Sequence, residues 1–153
     1  MSLELRETTD AIVEALTLGL ASSEYLVGDG EAPPSGGWSG AKGQSRYYGY
    51  AVVHPLIGGT TDGPIDAPDD DAQPTYQINC VGATRAHAEE VADAVRDVLL
   101  AASLTVSGRV VQRVTVEFLG GSQRDDTVQP AVWFTSDRFR VYTTPGPAST
   151  PPE

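Results

Sequence analysis

The sequence predicts an α+β fold, with two helices packed on one face of a mainly antiparallel four-stranded sheet in the order α-β-β-α-β-β. Three observations carry this. Residues 84–102 repeat apolar positions at intervals of three and four, the period of a helix. Residues 46–55 and 75–81 alternate along the chain with period two, as half-buried strands do. Glycine, proline and aspartate gather in long loops between these segments, chiefly 28–45 and 58–73. A single domain is expected over 1–144, followed by a disordered proline-rich tail at 145–153.

Taken in order, residues 3–18 read as a first helix, with Leu5, Ile12, Val13, Leu16 and Leu20 as its apolar stripe and Ser2 as its cap. Thr8 and Thr9 are mediocre helix formers within it. The first strand, 46–55, puts Tyr48, Tyr50, Val52 and His54 on one face and Tyr47, Ala51 and Val53 on the other. Pro55 lacks a ladder donor and closes it. The second strand, 75–81, turns Tyr76, Ile78 and Cys80 inward and Thr75, Gln77 and Asn79 outward. In the second helix Ala88, Val91, Ala92, Val95, Val98, Leu99 and Ala102 form the buried stripe, and Thr84 is the expected N-cap. The third strand, 109–118, places Val110, Val114, Val116 and Phe118 on one side. The fourth, 131–143, carries Trp133, Phe139 and Val141 on one face and Phe134, Arg138 and Tyr142 on the other. The two loops hold too few apolar groups to offset the roughly 1–2 kcal/mol per residue that ordering a backbone costs, so assembly is expected to order them.

Composition narrows function by exclusion. Ten basic residues against 21 acidic ones give a net charge of −11, which opposes binding to nucleic-acid phosphates and to anionic lipid. One cysteine leaves no internal disulfide and no thiolate zinc cage. No apolar run is long enough for a membrane span. The opening residues Glu4, Arg6, Glu7 and Asp10 do not form a signal peptide, so an acidic, soluble, intracellular protein is expected.

Catalytic and ligand motifs fail on spacing. A phosphate loop needs Gly-Lys followed by Ser or Thr, whereas Lys42 lies between Ala41 and Gly43. A dinucleotide fingerprint beginning at Gly28 and Gly30 meets Pro33 where its third glycine belongs. A calcium loop counted from Asp62 has Ala67 and Gln73 at positions six and twelve, and counted from Asp66 it has Asp71 and Gln77. The acidic run is therefore read as a solvated, self-repelling loop. His54 and His87 sit in no nucleophile motif, and Cys80 alternates onto the apolar face as a packed residue. No catalytic residue, cofactor or metal site is expected, and the protein is not read as an enzyme.

The later part of the chain resembles the tail terminator (tail completion, head-to-tail joining) proteins of long-tailed bacteriophages. The resemblance runs over about 74–145 and rests on Gln77, Val81 and Gly82 ahead of Val91-Ala92-Asp93-Ala94-Val95-Arg96, then Gly108-Arg109, then Asp137-Arg138-Phe139. Each motif is weak alone; their order is the signal. The resemblance implies a structural virion protein at the head-proximal end of the tail, assembled in the cytoplasm of a bacterial host. It implies a homo-oligomeric ring, a hexamer, that caps the tail tube, ends tail polymerisation and meets the head connector or stopper protein. DNA would cross the lumen as passing cargo, and no membrane is involved. The runner-up readings are another head–tail connector or minor tail protein, and then a small-molecule-binding or enzyme domain. As assembly-interface or lumen loops the sequence offers Trp38 and Lys42, then Asp66, Asp69, Asp70 and Asp71, then Arg124, Asp125 and Asp126.

Overall fold

A computed structural model describes residues 5–56, 60–62, 71–101 and 104–146. In chain order the elements are helix α1 (Leu5–Leu20), strands β1 (Leu26–Asp29), β2 (Tyr50–Pro55), β3 (Thr60–Asp62), β4 (Asp71–Gln73) and β5 (Thr75–Gly82), helix α2 (Arg85–Ala101), and strands β6 (Arg109–Leu119), β7 (Gln123–Asp125) and β8 (Val132–Pro145). The mixed α+β class holds, but the sheet has eight strands where four were expected. β2, β5, β6 and β8 correspond to the four expected strands. The additional four are only three or four residues long, too short for alternation to show in the sequence.

β8 is the central strand. Along one edge it pairs with β5 from Trp133 to Arg140 and then with β4 at Thr143; along the other it pairs with β6 and β7. β2 lies outside β5, and β1 runs parallel to β2 at the margin. All other pairings are antiparallel.

Both helices cover the same face, α1 over β1 and β2 and α2 over β5 and β8. Ile12, Leu16 and Leu20 of α1 and Val91, Val95 and Leu99 of α2 meet Ala51, Val53, Tyr76, Ile78, Cys80, Phe139 and Val141 of the sheet. Each large side chain among these contributes on the order of 1.5–3 kcal/mol by leaving water, before entropy is subtracted. Thr84 caps α2 as expected, its hydroxyl accepting from the His87 amide at 3.1 Å. Gly82 allows the close approach behind this cap, because a Cβ there would lie 2.4 Å from the Ala88 nitrogen. Thr9 has a tertiary reason to sit in α1. Its hydroxyl donates to the Leu5 carbonyl at 3.0 Å and so accepts from the Tyr76 hydroxyl at 3.0 Å.

The third expected strand differs in facing. Bulges at Gln112 and Glu117 shift the register of β6 on β8. Val111, Val114 and Val116 therefore pack against the core, whereas Val110 and Phe118 are exposed. At the C-terminus β8 continues to Pro145, and the Gly146 amide bonds to the Gly108 carbonyl at 2.9 Å; residues 147–153 of the expected tail, and the Ser2 cap, lie outside the described residues.

Candidate functional site

The face of the sheet away from the helices is not bare. Tyr50 and Val52 of β2, Val81 of β5 and Val132 of β8 form a second, smaller apolar cluster, with Tyr47 and Phe134 packed against it. This follows from the alternation of the strands, since Ala51, Val53 and Cys80 point the opposite way into the main core. Two connections fold over this cluster, the segment from Gly30 to Lys42 and the turn from Asp125 to Pro130. They enclose a pocket of about 550 Å³ whose floor is the cluster and whose polar lining includes His54, Asn79, Glu31 and Gln129.

The glycine-rich segment, which the sequence predicts to be at least partly ordered by assembly, is tied to its own domain by contacts within the chain. It begins as β1 and contains a 3-10 turn at Pro34–Gly37. Trp38 and Tyr47 form an antiparallel bridge, their rings edge-on at 4.9 Å. Ser39 donates to the Arg46 carbonyl at 2.9 Å, and the Tyr48 amide donates to the Gly37 carbonyl at 2.7 Å. Inside this hairpin the Ser45 hydroxyl accepts from Gly40 and donates to the Ala41 carbonyl. Gly37 has φ +92, and a Cβ there would lie 2.7 Å from the Tyr48 oxygen. The segment reads as loop in sequence because its order comes from a few hydrogen bonds and one aromatic contact across the turn, none of which has a periodic signature.

The pocket brings together Trp38, Lys42 and Asp125, which the sequence assigns to separate loops. The Asp125 carboxylate accepts from the Thr127 amide at 2.9 Å, fixing the second wall. Burial raises the pKa of Tyr50, and the nearby Asp125 charge adds to the shift; burial, followed by Tyr50, does the same to Tyr47. On the floor the Asn79 side-chain oxygen accepts from Gln77 at 3.1 Å and from Ser136 at 2.8 Å. Arg124 and Asp126 stay outside, joined in an exposed ion pair of 2.8 Å. Asp71 lies near the other end of β8, beside a cleft shared with Arg113 and Tyr142. Asp66, Asp69 and Asp70 fall outside the described residues. The floor residues were missed as a site, although Tyr50, Val52 and His54 sharing one strand face, and Phe134 opposing Phe139 on β8, were legible signs that both faces of the sheet are covered.

Chemically the pocket offers an apolar floor, one ammonium and two carboxylates at its walls. His54 makes no hydrogen bond to a hydroxyl or thiol among the described residues, and no cluster of metal-ligating side chains occurs among them.

No protein-family model matches the sequence, and no curated protein matches it. Among solved structures, a chain from the virion of a native gene transfer agent (GTA) particle is similar, with TM-score 0.64 and 18% identity over 92% of this chain and 94% of that one. A second solved chain aligns over 90% of this chain and 96% of its own at TM-score 0.49 and 18% identity, too slight a likeness to carry an argument. At this identity the first likeness shows a common fold over almost the whole of both chains.

Proposed function

We propose that this protein is a structural virion component of a phage or phage-like particle. It caps the tail tube as a hexameric ring, ends tail polymerisation and joins the tail to the head connector, and DNA passes through its lumen. The observation that carries this reading is the likeness to a chain of a GTA virion over nearly the full length of both. The ordered Gln77–Gly82, Val91–Arg96, Gly108-Arg109 and Asp137–Phe139 motifs support the terminator role within that class. The net charge of −11 suits a channel that must not hold DNA. No helix among the described residues is long and apolar enough to cross a membrane. The pocket near Trp38 then serves as a receptor for a segment of a neighbouring virion protein.

The deciding experiment mixes the protein with purified, growing tail tubes and images them by electron microscopy. Ring-shaped density at one end and arrest of growth are expected. Tubes that lengthen unchanged and stay bare would rule the terminator role out. The size of the pocket favours a second reading, a small-molecule-binding domain. That reading predicts monomers whose melting temperature rises with a specific ligand, and no rings.

A further inference from the structure

The two margins of the sheet differ in shape and in charge. Beyond β1 lies an apolar groove of about 540 Å³ between the end of α1 and the prolines, lined by Ala21, Tyr25, Leu26, Val27, Pro33 and Pro34. Glu24 stands in its wall, with Asp29 on β1 and Asp10 on α1 at the same margin, against the cations Arg6 and Arg46. Both arginines are engaged locally, Arg6 with Asp10 and Asp29 and Arg46 with Glu24, so the margin stays acidic.

The β6 margin is the converse. Among the described residues β6 pairs with β8 and has one further bridge, Arg109 to Val106, so the outer backbone edge of this 11-residue strand carries no strand ladder among them. Phe118 and Leu119 project from its end, 57% and 54% exposed. Positive charge alongside comes from Arg138, over the Phe118 ring, and Arg113, over the Tyr142 ring, whereas Arg140 is paired with Glu117. A long, apolar, unpaired edge strand is an aggregation liability unless a partner covers it.

We infer that a second copy of this chain covers it, the Phe118–Leu119 knob of one subunit seating in the β1-side groove of the next. The apolar knob matches the apolar groove, and the arginine-bearing margin meets the carboxylate-bearing one. Because the two surfaces lie on opposite margins of one sheet, the contact is head-to-tail. Such a contact closes a ring when its rotation permits and otherwise extends a filament. This rests on the ring proposed above for its setting and names the contact that would build it.

The test uses two variants of the full chain. Phe118→Lys spoils the knob and keeps the groove; Leu26→Lys spoils the groove and keeps the knob. Both positions are exposed, so melting temperatures should match the wild type. In analytical ultracentrifugation the wild type should assemble as concentration rises, and each variant should need about tenfold more protein or stay monomeric. An equimolar mixture of the two should stop at dimers, since one good knob and one good groove remain. A wild type that stays monomeric throughout, variants that assemble normally, or a mixture without dimers would overturn the inference. Rings built through this contact that leave tail tubes bare would sink the terminator reading and spare the interface. Capped tubes with rings indifferent to both substitutions would do the reverse.

Discussion

Asp137, 1% exposed on β8, faces Arg96 of α2 at 3.3 Å. The same carboxylate accepts from the Gly120 amide at 3.2 Å, so one buried charge links the helix, the central strand and the β6–β7 turn. Burial raises its pKa above the ordinary carboxylate value, with Arg96 and the Gly120 amide offsetting part of the shift. A carboxyl whose folded pKa is raised binds its proton more tightly folded than unfolded. Its contribution therefore favours folding in acid and is lost as pH rises from the unfolded pKa through the folded one. The stability of wild type relative to Asp137→Asn should fall across that acidic window and level off above it. Urea melts of both proteins at a series of pH values measure this, and a pH-independent difference would contradict it.

Val95 has no exposed surface and lies at the centre of the α2 stripe, while Glu90 points to solvent. Val95→Asp strands a carboxylate in the core at a cost of several kcal/mol against a total stability of about 5–15 kcal/mol. Loss of soluble folded protein is expected, with Glu90→Ala melting close to the wild type. Circular dichroism melts decide between them.

Gly37 combines positive φ with a backbone oxygen where its Cβ would lie. Gly37→Ala should cost about 1–3 kcal/mol and loosen the Trp38–Tyr47 bridge. Gly36 also has positive φ, yet open space surrounds its missing Cβ, so Gly36→Ala should cost less. Limited proteolysis should find residues 38–46 protected in the wild type and cut in Gly37→Ala. Rapid cutting there in the wild type would show that the bridge does not hold in solution.

The Cys80 thiol is fully buried, and burial pushes its pKa up to about 12. It should stay unreactive toward alkylating reagents at pH 8, with labelling that follows global unfolding in urea. Fast labelling of the native protein would mean that β5 opens locally.

Much of the main core was legible from period alone. Tyr76, Ile78 and Cys80, and Val91, Val95 and Leu99, were assigned inward because sheet and helix periods dictate which side chains share a face. These positions are local, and burial of one face determines them wherever the element packs. β6 marks where this reading stops. Strict alternation put Val110 and Phe118 beside Val114 and Val116, and bulges at Gln112 and Glu117 turned them outward. A bulge is set by the fit of β6 on β8, partners that meet only in the folded sheet. The pocket has the same origin, for Trp38 and Lys42 on one connection and Asp125 on another line it from distant parts of the chain. The sequence by itself determined which faces are apolar, where α2 begins at its Thr84 cap and that the surface is acidic. Only the tertiary structure decided that β1 and β6 form opposite margins, one acidic and grooved and the other basic and knobbed. Charge and hydrophobicity belong to residues, whereas the margin on which they stand belongs to the order of the strands.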